Sequence, residues 1–185
     1  MKVLAKLFKG VGASKIIAVD IHSTIGFKHF TIKTKNISAI PDLVQYFKKL
    51  SLTNPLVVSP DQGGKDRAKE FAKEFELEYI ALEKKRDKKT GKVQIKTKNS
   101  DKVVGRDLIL VDDMISTGGS IIKATQFLKK QKCKRVYVAC THALLMNDAE
   151  KKIRKAGVTR IVSANTIPGK TSVVDVSNTI AKATG

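Results

Sequence analysis

The 185-residue chain contains no tryptophan, and aromatic residues make up 5% of it. That scarcity removes the stacking platform on which single-stranded nucleic acids are usually held. No nucleic-acid-binding module is recognisable, so a nucleic-acid partner is not expected despite the formal charge of +19. Anionic small-molecule substrates and a merely lysine-rich surface both remain as explanations of that charge. Long apolar runs are missing as well. None approaches the ~20 residues of a membrane-spanning helix, and no membrane partner is expected. The start, Met1 to Lys9, interleaves lysines with apolar residues and reads as an amphipathic helix, not as a signal peptide. Cysteine is nearly absent. Cys133 and Cys140 lack a metal-ligand spacing and read as reduced thiols, with the cytoplasm as the default compartment. No Gly-x-x-x-x-Gly-Lys-Ser/Thr run occurs, which argues against a Walker-type ATPase. Gly10-Val11-Gly12 is too short, and on the wrong side of its helix, for a dinucleotide fingerprint.

What is present describes a folded α/β chain. A 42% hydrophobic and 29% charged composition belongs to a globular protein. The length suffices for one sizeable core, or for one domain plus part of another. Patterning predicts helices over 2–10, 38–49 (with Pro41 in the first turn), 65–75, 121–130, 148–156 and from Ser177 onward. Strands are expected at 15–20, 30–34, 56–59, 78–82, 108–111, 135–141, 160–163 and 172–176. Short apolar strands alternating with helices imply a parallel sheet flanked by helices, with ligands at the strands' carboxyl ends. Between Lys84 and Lys102 stand nine basic residues against Asp87 and Asp101. This run reads as a β-hairpin arm turning at Thr90-Gly91 and returning through Val93–Lys96. A basic arm of that kind could close over an anionic substrate, although a solvated hairpin has the same pattern.

The most informative stretch is Leu108 to Ser120. Four apolar residues form a buried strand, Asp112 and Asp113 stand at its carboxyl end, and a glycine turn leads into a helix. Strand, turn and helix make a ready anion site, because free amides and the positive end of the helix dipole converge there. Ser116, Thr117 and Ser120 can add hydroxyl donors, while Gly118 and Gly119 let the backbone come close. Two carboxylates beside a phosphate cradle repel it unless they hold something else, and vicinal sugar hydroxyls or Mg²⁺ fit that role. A lone acid pair or glycine pair would more often be a solvated turn. A second junction of this kind, Ser59-Pro60-Asp61-Gln62-Gly63-Gly64, precedes the helix from Lys65. Upstream, Asp20-Ile21-His22-Ser23 closes a strand, and spacing by two puts acid and imidazole on one side. His142 lies just past a strand end, where a structural role is the simpler reading.

Four segments in this order resemble the ribose-phosphate pyrophosphokinase family, within the phosphoribosyltransferase fold. They are Asp20–Ser23, Ser59–Gly64, Lys84-Lys85-Arg86 and Val111–Gly119, and Asn165–Pro168 with Val173–Ser177 resemble that family's C-terminal end. The resemblance implies transfer of pyrophosphate from ATP to ribose 5-phosphate, giving phosphoribosyl pyrophosphate and AMP with Mg²⁺. By motif position, residues 116–120 would hold the 5-phosphate, and Asp112 with Asp113 the ribose hydroxyls. Asp61 and Gly63-Gly64 would take the pyrophosphate side and a metal, and His22 would sit at the nucleotide-metal end. Lys84 would be the catalytic cation and Arg86 a substrate contact. The family has two similar α/β domains. Residues 1–36 correspond to the end of the first, residues 37–185 to the second, and the family's adenine-contacting segments lie upstream of this sequence. Thr31 and Lys35 stand where the family carries acids. Two other outcomes are a salvage phosphoribosyltransferase, for which no base-recognising hood is found, and a non-catalytic phosphoribosyl-pyrophosphate-binding module. Apolar surface exposed along residues 1–36 predicts a homo-oligomer.

Overall fold

The computed structural model describes residues 1–86, 93–97 and 100–184, with side chains left out at 84–86, 93 and 94. The chain opens with helix α1 (Lys2–Gly10), then strands β1 (Lys15–Val19) and β2 (Lys33–Ile37), which pair in parallel as a small sheet of their own. Helix α2 (Ile40–Lys48), β3 (Leu56–Ser59), α3 (Lys65–Phe75) and β4 (Tyr79–Ala81) follow. Next come the antiparallel arm β5 (Glu83–Arg86) and β6 (Val93–Lys96), then β7 (Asp107–Ile115) and α4 (Gly119–Lys130). The chain ends with β8 (Arg135–Ala143), α5 (Ala149–Lys155), β9 (Val158–Ala164), β10 (Ser172–Val174) and α6 (Ser177–Thr184). Among the described residues no helix is long and apolar enough to cross a membrane.

The main sheet is parallel, in the order β10-β9-β8-β7-β3-β4. Its central strands are apolar at successive positions because both faces are covered. Leu56, Val58, Leu108 and Leu110 face one core layer, which α4 and α5 close with Ile121, Leu128 and Ile153. Val57, Ile109 and Val111 face the other, closed by Leu43 and Phe47 of α2 and Phe71 of α3. Phe47 and Phe71 meet edge to face at 5.8 Å. Among the described residues one buried side-chain polar atom has no partner, the Thr125 hydroxyl on α4. Thr125→Val is therefore expected to raise stability by about 1 kcal/mol, read as a higher denaturation midpoint at unchanged m-value.

Chain order also locates the crevice. From β3 the chain moves outward to β4 on one side, then returns to β7 on the other and continues to β10. The β3–β7 boundary is thus the switch point at which open α/β sheets bind ligands. Pairing of β3 with β7 stops at Leu110, whereas β7 runs on beside β8 as far as Ile115. The last residues of β7 therefore form one wall of an open cleft.

Several boundaries differ from the sequence-based expectation. The second strand is shifted from the expected 30–34 to Lys33–Ile37, and a 3₁₀ segment, Thr24–His29, precedes it. Phe30, which opened the expected strand, instead packs edge-on against Phe27 at 6.3 Å, with Phe8 of α1 another 6.3 Å from Phe30. The strand through Leu108–Val111 does not stop before the aspartates. It carries Asp112 opposite Cys140 and Met114 opposite His142, so His142 lies inside a strand. The proposed arm turn at Thr90-Gly91 lies outside the described residues.

Candidate functional site

The turn from β7 into α4 is shaped by one residue. Gly118 has φ +75°, and a Cβ there would come within 2.7 Å of the buried Ile153 side chain of α5. Among the described residues, the amides of Ser116, Thr117, Gly118 and Gly119 donate to no intramolecular acceptor. Unpaired amides at the start of a twelve-residue helix are the donor set a phosphate dianion needs. They border an open cavity of about 480 Å³ that reaches from Asp112 to Lys123. Lys123 was not singled out from the sequence. Its signal was helical spacing, since it lies one turn beyond Gly119 and Ser120 on the ligand side.

Asp112 and Asp113 have different surroundings. The Asp113 side chain is 6% exposed, and its Oδ2 accepts from His22 Nδ1 at 2.9 Å and from Arg67 Nη2 at 3.0 Å. Burial pushes the Asp113 carboxyl up, but the His22 hydrogen bond and the Arg67 charge outweigh it and hold the group below the usual carboxylate range. Among the described residues Asp112 makes no ion pair of this kind, and the Arg67 charge lowers it only weakly. Burial, with repulsion from Asp113, pushes its carboxyl up to about 7. The adjacent acids are thus one anchored carboxylate and one carboxyl raised above its ordinary range, facing the cleft. Behind them, burial keeps Cys140 a neutral thiol.

A fold that favours neutral Asp112 gains stability that is complete below the unfolded pKa, near ~4, and is lost as pH rises through about 7. Asp112→Asn, neutral throughout, should match the parent in mild acid. At about pH 8 it should exceed the parent by about 1–3 kcal/mol. Scanning calorimetry at the two pH values checks this.

His22 and Asp20 do not work as a pair. Asp20 takes φ 44°, ending the strand alternation that would have put both on one side. The buried Asp20 carboxylate accepts from Ala39 N at 3.0 Å and Thr141 Oγ1 at 2.6 Å. His22 turns instead to Asp113 and keeps the rest of its ring in solvent, with 80% of the side chain exposed. His142 is structural, bonded to Val19 O and Thr166 Oγ1 at 2.9 Å each. Arg67, on the first turn of α3, is a second cleft residue that the sequence did not single out. Only its position shortly after Gly63-Gly64 hinted at it.

On the opposite wall, Asp61 Oδ1 accepts from Gly64 N at 3.2 Å, and Ser59 Oγ donates to Asp61 O at 2.6 Å. Any Cβ at Gly64 would lie 2.9 Å from Ser59 Oγ, so this turn is packed tightly against its own strand. Lys84 and Arg86 fall on β5, a strand that leaves the same end of the sheet; their side chains lie outside the described residues. Among the described residues no group of three His, Cys, Asp or Glu is placed to hold a metal by itself. The expected metal residues His22 and Asp61 could contribute to a Mg²⁺ site only as a minority of its oxygen and nitrogen ligands.

The profile of the phosphoribosyl transferase domain matches residues 32–177. The ribose-phosphate pyrophosphokinase of Sulfolobus acidocaldarius is 35% identical over 184 residues, covering 98% of this chain and 63% of that protein. That of Methanopyrus kandleri is 36% identical over 172 residues, with 92% and 58% covered. The crystal structure of phosphoribosylpyrophosphate synthetase from Mycobacterium smegmatis superposes with a TM-score of 0.82 at 26% identity, over 98% of this chain and 61% of that one. The chain spans about three-fifths of the length of these relatives.

Proposed function

The chain belongs to the phosphoribosyl transferase domain family, and from that premise we propose that it handles ribose 5-phosphate in a ribose-phosphate diphosphokinase reaction. Pyrophosphate passes from ATP to the anomeric oxygen of ribose 5-phosphate, giving phosphoribosyl pyrophosphate and AMP. The observation that carries the reading is the row of unpaired amides at 116–119, beside an acid pair whose members titrate apart, at the switch point of the sheet.

In this reading the amides, with the hydroxyls of Ser116, Thr117 and Ser120, hold the 5-phosphate. Asp112 takes ribose hydroxyls, and Asp113 anchors His22 and Arg67 beside it. Gly63-Gly64 and Asp61 face the pyrophosphate. His22 and Asp61 would hold Mg²⁺, which would supply charge neutralisation to the transferred group. Lys84 and Arg86 add fixed positive charge where negative charge gathers during transfer. Residues 1–36, with their own two-stranded sheet, belong to a second α/β unit of the same kind. The exposed side of α1, with Val3 71% and Leu7 59% accessible, is a self-association surface. The cytoplasm is the compartment.

AMP release from ATP and Mg²⁺ tests the reaction, and it should require ribose 5-phosphate. Lys84→Ala should lower the rate about 10²-fold with little change in sugar-phosphate affinity. A second reading is a module that binds phosphoribosyl pyrophosphate without making it. Calorimetric binding of that ligand with no AMP release would select it.

A further inference from the structure

The connection from β8 to α5 is strained in a way that a simple link does not require. Three of its non-glycine residues have positive φ: Leu145 at 50°, Asn147 at 54° and Asp148 at 59°. Asn and Asp tolerate that region, but leucine does not, and such strain persists only where the surroundings hold it. The surroundings are plain. The Leu145 side chain packs on the core layer beneath α4 and α5. Lys152 Nζ ties Asn147 O at 2.8 Å, and Ala149 N ties Met146 O at 3.1 Å.

What the strained backbone reaches is the phosphate turn. Leu145 N donates to Ile115 O and Met146 N to Ser116 O, both at 3.0 Å. Ser116 Oγ lies 3.5 Å from Met146 Sδ. In a trans peptide the C=O and the following N–H point in opposite directions. Pulling the carbonyls of Ile115 and Ser116 toward residues 145–146 therefore turns the amides of Ser116 and Thr117 the other way, free of any internal acceptor. One turn further on, Ile153 of α5 abuts Gly118 from behind.

We infer that Leu145 and Met146 are positioning residues: they form a strap that presets the amides of Ser116 and Thr117 for the phosphate, so that binding does not have to order them. This rests on the phosphate-site reading above. Donors fixed before the ligand arrives bind more tightly than donors that must be organised by it.

The test is calorimetric titration of the full chain with ribose 5-phosphate, with thermal melts of each variant. Met146→Pro deletes the N–H that holds Ser116 O and should raise Kd about tenfold or more. Met146→Leu keeps that N–H and should stay within about twofold of the parent. Leu145→Ala keeps the backbone donor but removes the core anchor, and should weaken binding several-fold while the protein remains folded. A purely structural connection predicts lower melting temperatures without this order of affinities. Met146→Pro and Leu145→Ala proteins that fold and bind as the parent does would overturn the strap alone. If Met146→Pro fails to fold, unchanged affinity in Leu145→Ala is sufficient to reject it. A parent chain that binds no ribose 5-phosphate rejects the phosphate-site reading and the strap with it.

Discussion

Placing valine at Gly118 is expected to weaken ribose 5-phosphate binding by about 10³-fold, as three charge-assisted amide contacts are lost at ~1.5 kcal/mol each. Two independent causes act at this residue. Its φ of +75° is one that a β-branched side chain does not adopt without strain. The new side chain would also enter space held by Ile153, itself fully buried between α4 and α5. Relief is available only by moving the turn, and that movement scatters the amides of residues 116–119. Far-UV circular dichroism should stay near the parent's, because the sheet and α4 keep their own core contacts. Calorimetry then separates the lost site from a lost fold. Gly118→Val protein that is folded and binds ribose 5-phosphate at parental affinity would remove this turn from the site.

The second large effect lies at the other end of the sheet. Asp107 is fully buried at the start of β7; it accepts from Thr53 N at 2.6 Å and from Arg135 Nε at 2.9 Å. Arg135 also reaches Ser51 O at 2.9 Å and lies 5.6 Å from the centre of the Tyr137 ring. Burial pushes the Asp107 carboxyl up, yet the Arg135 bond and the Thr53 amide outweigh it and leave the carboxyl below its ordinary value. Arg135→Ala leaves a buried carboxylate without its counter-charge, at an expected cost of about 3–5 kcal/mol. For a chain of this size that is a fall in Tm of about 10 °C, measurable by calorimetry. The pH dependence has a definite sign. A depressed carboxyl contributes stability above its unfolded pKa, near ~4, and that contribution fades as pH falls through the lower folded value. Parent and Arg135→Ala should therefore converge in acid. A constant gap between them down to about pH 2 would show that the pair is not what Arg135 contributes.

Much of the site was readable from residue order, because its donors are backbone groups placed by local chemistry. A buried strand, a glycine that alone accepts positive φ, and a helix start are consecutive in the chain. Leu108 to Ser120 therefore announces a strand, a glycine turn and a helix start before any contact is known. Gly63-Gly64 and the helix over Lys65–Phe75 were legible for the same reason. Patterns failed where distant segments compete. Phe30 read as the start of a strand but joins an aromatic cluster with Phe27 and Phe8 of α1. Asp112 and Asp113 read as a strand end, yet β8 continues to pair with β7 past both.

Residue order alone thus settled the α/β class, the order of the elements and the local shape of the phosphate turn, since each depends on spacing within a few residues. Tertiary structure decided the roles of the side chains around that turn. Asp113 is an anchored carboxylate because His22, 91 residues away, and Arg67, 46 residues away, converge on one oxygen. The Asp112 carboxyl is raised because it is buried and lies beside the Asp113 charge. The strain at Leu145 has meaning only beside Ile115 and Ser116. Charge and hydrogen-bond energies depend on distance and burial, which are set when segments far apart in the chain pack together.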